Sequence, residues 1–213
     1  MKSFFSYVFN LTAVLFLSFG LAGCTSTQLP FAANSPWEEV ELQTEANPLD
    51  ISFVDDSHGF LVGTNRLILE SNDGGKSWKE RVLDLPDGEN FRLISIDFLG
   101  DEGWLAGQPG LIMHTTDSGQ NWTRISLGNE LPGEPYLIKT LDRDTAELAT
   151  TAGAVYRTSD AGANWEGNVS EASGGIRDLR RGENGGYVSA SSLGNFYATL
   201  EPGQDNWQAH QRA

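Results

Sequence analysis

The stretch SNDGGKSW, from Ser71 to Trp78, recurs at regular intervals along the chain. Similar stretches, the last of them degenerate, end at Trp122, Trp165 and Trp207. With the isolated Trp37 included, successive tryptophans of this series lie 41 to 44 residues apart. A period of this length is typical of stacked repeat units such as the blades of a β-propeller.

Each repeat unit contains three short apolar segments before the turn and one after it. The second segments align with one another and are His58–Gly63, Glu102–Gly107, Thr145–Thr150 and Gly185–Ala190. Four short strands joined by turns describe one propeller blade, and the 24 glycines suit the many tight turns. We therefore predict an all-β fold, a β-propeller in residues 37–213 with units at about 49–83, 92–127, 136–169 and 175–212.

The recurring turn follows the pattern Ser/Thr-x-Asp-x-Gly-x-x-Trp, which is the Asp-box hairpin. Its aspartate can accept hydrogen bonds from the turn, its glycine can adopt a left-handed conformation, and its indole can pack inward. One copy in each unit predicts a structural role rather than catalysis or metal binding. The predicted box residues are Asp73, Gly75, Trp78, Asp117, Gly119, Trp122, Asp160, Gly162 and Trp165. In the fourth unit Pro202 and Gln204 replace the aspartate and the glycine.

One predicted outer strand, Trp37 to Leu42, has no triplet of strands before it. In propellers such a strand usually completes the last blade and closes the ring. Four triplets with five outer strands therefore predict about four blades of a larger ring, with a compact four-bladed ring as the alternative.

The N-terminus differs in kind from the repeats. Lys2 precedes an apolar run, Leu11 to Leu21, which ends in Leu-Ala-Gly-Cys24. This pattern predicts a lipoprotein signal peptide over residues 1–23, acylation of Cys24, and a tether over 24–36. Since Cys24 is the only cysteine, no disulfide can form within the chain.

The composition excludes several classes of function. A formal net charge of −15 argues against nucleic acid as a partner, because that binding relies on neutralising phosphates. The histidines His58, His114 and His210 are scattered and are expected in turns or at the surface, and Gly74-Gly75 belongs to a box turn rather than to a phosphate loop. We predict no metal, no cofactor and no small-molecule substrate.

Phrases outside the boxes resemble the photosystem II assembly and stability factor family of cyanobacteria and plastids. The resemblance covers residues 21 to 212. The matching phrases begin at Ser35-Pro-Trp37, Asn47-Pro-Leu49, Glu89-Asn-Phe91, Gly103-Trp-Leu105, Pro132-Gly-Glu134 and Gly194-Asn-Phe196. The resemblance implies a seven-bladed ring without enzymatic activity, anchored on the lumenal side of the thylakoid membrane. It also implies that the partners are the newly made reaction-centre core subunit and early assembly or repair complexes.

Partner contact in this family uses an arginine-rich patch. Its matching residues here are Arg177, Arg180, Arg181 and Arg212, and the first three form the densest basic segment of an acidic chain. The competing function is an Asp-box glycoside hydrolase of the sialidase kind, since such propellers carry the same hairpins. That enzyme needs an arginine triad, a tyrosine with a glutamate and an acid/base aspartate, and the residues here offer no such set spread over several units.

Overall fold

The structure is a computed structural model that describes residues 38–86, 88–126, 132–167, 175–192 and 196–211. Within these ranges the chain forms sixteen strands in four antiparallel four-stranded sheets. Strand order in each sheet follows the sequence, so each sheet is a meander and forms one blade. The prediction of an all-β propeller is confirmed. The predicted signal peptide, Cys24, the tether, Trp37 and Arg212 lie outside the described residues.

The strand bounds of the four blades are as follows. Blade 1 contains β1 (Pro48–Phe53), β2 (Gly59–Gly63), β3 (Ile68–Ser71) and β4 (Lys79–Glu80). Blade 2 contains β5 (Arg92–Leu99), β6 (Glu102–Gln108), β7 (Leu111–Thr115) and β8 (Thr123–Ile125). Blade 3 contains β9 (Pro135–Asp142), β10 (Thr145–Thr150), β11 (Val155–Thr158) and β12 (Glu166–Gly167). Blade 4 contains β13 (Ile176–Arg181), β14 (Tyr187–Ser191), β15 (Phe196–Leu200) and β16 (Gln208–Gln211).

Several strand bounds differ from the predicted ones, and β14, for example, spans Tyr187–Ser191 rather than Gly185–Ala190. Each outer strand begins one residue after its tryptophan, because the indole belongs to the turn. Glu38 to Leu42, predicted as part of an orphan outer strand, forms no strand. Instead Leu42 and Ala46 pack on an apolar cluster of blade 1 that contains Leu61 and Leu69.

The apolar core is divided among the junctions between successive blades. Phe60 and Val62 of blade 1 pack with Leu93 and Leu105 of blade 2. Trp104 of blade 2 packs with blade 3, and Val155 of blade 3 packs with Leu179 and Tyr187 of blade 4. Burial of these faces against each other supplies the main force that holds blades together.

Apolar side chains at the two outermost blades are partly uncovered. Ile51 and Phe53 of blade 1 are 48% and 39% exposed, and Val188 and Tyr197 of blade 4 are 50% and 41% exposed. The second strand of blade 1 is buried throughout and those of blades 2 and 3 are buried at every residue but one at an end, whereas β14 alternates between buried and exposed residues. The outward faces of blades 1 and 4 therefore resemble the faces that are covered at the inner junctions. The described residues contain no helix long and apolar enough to cross a membrane.

Candidate functional site

The three box turns share one hydrogen-bond pattern. In the first, the Ser71 hydroxyl donates to Asp73 Oδ1 at 2.8 Å, and Gly75 N donates to the Ser71 oxygen at 2.8 Å. The backbone N and hydroxyl of Ser77 donate to the two oxygens of Asp73 at 2.9 and 2.6 Å. Asn121 and Asn164 supply the corresponding donors to Asp117 and Asp160. The donor four residues after each aspartate was not identified from the sequence.

These bonds stabilise the ionised carboxylates. Hydrogen bonds from Ser77 and Ser71 lower the pKa of Asp73 from its ordinary value of 3.8 to about 2. The pKa values of Asp117 and Asp160 are lowered by the equivalent donors. Both oxygens of each carboxylate are engaged by the turn itself, an arrangement that suits a structural role and gives no support to the hydrolase alternative.

The box tryptophans of blades 2 and 3 lie at blade junctions. The Trp122 ring packs edge-on against Phe60 of the preceding blade, with centroids 6.4 Å apart, and Trp165 packs in the same way against Trp104 at 5.8 Å. Trp207 Nε1 donates across its junction to Gly153 O at 2.8 Å, although its turn has lost the box. Trp78, by contrast, donates to Gly75 O of its own turn.

Three of the four predicted partner-binding arginines, Arg177, Arg180 and Arg181, lie on β13, the first strand of blade 4, and this strand is here called the arginine strand. Arg177 and Arg180 are exposed, and the Arg180 side chain is 81% accessible. Arg180 lies 3.4 Å from Asp178 Oδ1, a surface pair that contributes little to stability. The Arg177 side chain has no polar partner among the described residues. Two exposed guanidinium groups on one strand can bind carboxylates of a partner.

Arg181, the next residue, has a different environment. Its side chain is only 19% exposed, and its Nε donates to Glu147 Oε2 of blade 3 at 2.8 Å. The hydroxyl of Tyr187 donates to the same oxygen at 2.8 Å, and the guanidinium lies 5.8 Å from the Tyr187 ring centroid. The structure thus separates the three predicted arginines into two exposed groups and one that links two blades.

The pKa values of Arg181 and Tyr187 reflect both their burial and the neighbouring Glu147. Burial disfavours the charged guanidinium, but the hydrogen bond and charge of Glu147 outweigh it, so the pKa of Arg181 is raised. Burial and the neighbouring Glu147 raise the pKa of Tyr187, which therefore stays protonated as a donor. Sequence reasoning missed Glu147 and Tyr187. The sequence did contain a signal for Glu147, because a charged glutamate lies inside the apolar segment Ala146-Glu-Leu-Ala149.

The predicted location of one histidine was wrong. His114, predicted in a turn or at the surface, is buried in β7, and its Nε2 hydrogen-bonds Glu102 Oε1 at 2.5 Å. His58 is half-buried beside Glu70. The prediction failed because burial at a junction depends on the next blade, whose Asp144 backbone N–H also donates to Glu102.

Glu102, His114 and Asp144 are also the group in the described ranges that could hold a metal ion. Their ligand atoms lie within 4.8 Å of one another. Glu102 Oε1 already accepts two hydrogen bonds, and the Trp104 ring stacks on His114 with centroids 4.1 Å apart. These contacts indicate that the cluster is a hydrogen-bonded link between blades 2 and 3.

Comparison with known proteins identifies the family. The family model described as photosynthesis system II assembly factor YCF48 matches residues 29–213. A photosystem II assembly lipoprotein Ycf48 of Synechococcus sp. strain CC9902 is 62% identical over 212 residues. That alignment covers 100% of this chain and 64% of the relative, so the chain spans less than two thirds of the relative's length.

Two solved structures are similar over most of the chain. One is described as YCF48 bound to D1 peptide, with 47% identity and a TM-score of 0.81, and the match covers 84% of this chain and 60% of that one. The other is YCF48 from Cyanidioschyzon merolae, with 39% identity and a TM-score of 0.80, covering 83% and 60%. The chain therefore belongs to the photosystem II assembly factor Ycf48 family.

Proposed function

We propose that this chain is the blade 1 to 4 portion of a non-catalytic assembly factor that binds the newly made D1 reaction-centre subunit and early photosystem II complexes. Family membership and the relative described as bound to D1 peptide support the proposal. The observation that carries it is the exposed pair Arg177 and Arg180 on the arginine strand of a chain with net charge −15. A local basic surface on an acidic protein selects partners that present carboxylates.

The test uses the complete gene product and a D1 peptide. Removal of both charges with Arg177→Gln/Arg180→Gln should weaken peptide binding about 2- to 30-fold, since each exposed ion pair contributes about 0.2 to 1 kcal/mol. The effect should shrink as ionic strength rises. Arg143→Gln is the matched control, because the Arg143 side chain is 85% exposed on blade 3 and should leave affinity unchanged. Equal binding by the double variant and the wild type, measured by calorimetry, would refute the role of this strand.

The anchor is a separate part of the proposal. We infer that Cys24 carries the acyl chains and holds the propeller on the lumenal side of the thylakoid membrane, because relatives are described as lipoproteins and the Leu-Ala-Gly-Cys24 pattern follows an apolar run. Cys24→Ser should move the protein from the membrane fraction into the soluble fraction after cell lysis. Retention of the variant in washed membranes would exclude Cys24 as the principal anchor.

A further inference from the structure

We propose that Glu147 and Tyr187 are positioning residues for partner recognition, because they hold the arginine strand in the orientation that presents Arg180 outward. This inference rests on the proposed function of Arg177 and Arg180 and adds residues that do not themselves meet the partner. Glu147 belongs to blade 3, and Tyr187 lies on the second strand of blade 4.

The first strands of successive blades are linked by side-chain acceptors at the first two junctions but not at the third. Between blades 1 and 2, Asp50 and Ser52 accept hydrogen bonds from the backbone N–H groups of Ile96 and Phe98 at 3.0 and 3.1 Å. Between blades 2 and 3, side chains of β5 act in the same way. Ser95 Oγ accepts from Ile138 N at 3.2 Å, and Asp97 Oδ2 accepts from Thr140 N at 2.8 Å.

At the third junction, the equivalent positions on the first strand of blade 3 carry no side chain that could accept a hydrogen bond from blade 4. The strand registers place Leu137 at the position of Asp50 and Ser95, and Lys139 at the position of Ser52 and Asp97. Neither a leucine nor a lysine side chain can accept a hydrogen bond. The first strand of blade 4 must therefore be held by other groups.

The residue that faces the next blade also changes at the third junction. Register places Glu147 in β10 at the position that Phe60 occupies in β2 and Trp104 in β6. At the first two junctions the aromatic ring packs against a box tryptophan of the following blade. At the third junction the same position carries a carboxylate that is 7% exposed and accepts from Arg181 and Tyr187.

A buried carboxylate strongly favours its partners, because losing them leaves a charge unpaired in a poorly solvated site. Glu147 therefore directs the Arg181 side chain into the junction. Successive side chains of a strand point to opposite faces, so an Arg181 side chain directed toward blade 3 places the Arg180 side chain on the opposite, outward face of blade 4, beside Val188. Tyr187 is paired with Arg181 across β13 and β14 and donates to the same oxygen, which fixes the guanidinium from a second direction.

The test measures D1 peptide binding by the complete gene product. Glu147→Gln should weaken binding about 2- to 30-fold, the range that positional coupling usually spans, and by no more than Arg177→Gln/Arg180→Gln does. Its effect should disappear in the background of that double variant, because a positioning residue acts only through the groups it positions. Tyr187→Phe leaves the Glu147–Arg181 pair in place, so it should give a smaller loss of affinity that likewise disappears in the background of the double variant. It keeps the proposal testable if Glu147→Gln folds poorly.

Glu102→Gln is the matched control. Glu102 is a buried glutamate that ties blades 2 and 3, so its loss should lower the thermal midpoint without changing peptide affinity. Wild-type affinity of Glu147→Gln and Tyr187→Phe would overturn the inference while leaving the proposed site intact. A loss that adds to that of the double variant, or that Glu102→Gln reproduces, would show a general structural effect and would also overturn it. If the double variant itself binds normally, the proposed function of the strand fails first.

Discussion

Replacing Gly119 by alanine should destabilise the junction between blades 1 and 2. Gly119 lies in the second box turn with φ of +78°. A Cβ at this position would lie 2.6 Å from Phe60 Cζ and 2.7 Å from Phe60 Cε2. Phe60 is fully buried, stacked on Phe98 and edge-on to Trp122, so its ring cannot turn away from the new methyl group.

The expected cost has two parts. A non-glycine residue in the left-handed region costs about 1 to 2 kcal/mol, and an extra methyl group in a packed core costs about 1 to 3 kcal/mol. Gly119→Ala should therefore lower the free energy of unfolding by about 2 to 5 kcal/mol. Gly203 is the matched control because its φ is +77° and an added Cβ would meet no atom within 4 Å. Gly203→Ala should cost only the conformational part, about 1 to 2 kcal/mol.

The two variants are compared by denaturant unfolding followed by tryptophan fluorescence. Each replaces one glycine by one alanine, so the change in unfolded-chain entropy is the same and cancels in the difference. The difference between the variants isolates the contact with Phe60. Equal losses at the two positions would refute the inference that the box glycine is required by the side chain of the preceding blade.

Three further predictions concern the turns and junctions. The pKa of Asp73 is lowered to about 2 in the folded protein, so its contribution to stability should be full above about pH 4 and lost as pH falls toward 2; Asp73→Asn should flatten this dependence in acid unfolding curves. Trp207→Phe should cost about 0.5 to 1.5 kcal/mol more than Trp165→Phe in unfolding experiments, because of these two indole N–H groups only that of Trp207 has a hydrogen-bond partner in the described residues. His114→Ala should cost about 3 to 5 kcal/mol in the same experiments, because it leaves the Glu102 carboxylate buried without its side-chain partner; a loss below 1 kcal/mol would contradict that reasoning.

The repeat units could be predicted from the sequence because their determinants are local. Thr145–Thr150 was predicted as a strand and is observed with the same bounds. The box turn closes through hydrogen bonds between residues only two to four positions apart, so the spacing of Asp117 and its donors carries the whole structure of that turn. Such information is contained in any single repeat.

The candidate site could be predicted only in part, because the roles of its residues depend on another blade. Arg180 and Arg181 are neighbours of the same residue type, yet one is exposed and the other is held by Glu147, 34 residues earlier in the chain. The sequence predicted the cluster but could not assign different roles within it. The register that brings Glu147 to Arg181 is determined by the packing of two sheets, and no local pattern records it.

The three equivalent positions Phe60, Trp104 and Glu147 indicate why the third junction is polar. At the first two junctions this position carries an aromatic ring that packs in the apolar core. A buried ion pair is seldom more stabilising than apolar residues of similar volume, because desolvation offsets most of the attraction between the charges. Stability therefore gives no reason for a carboxylate at this position. Directional bonding gives a reason for the carboxylate, because a carboxylate can orient one guanidinium and one hydroxyl, whereas an aromatic ring leaves both free to rotate. The polar junction occurs where the next strand carries Arg177 and Arg180, the two exposed arginines that we propose bind the partner.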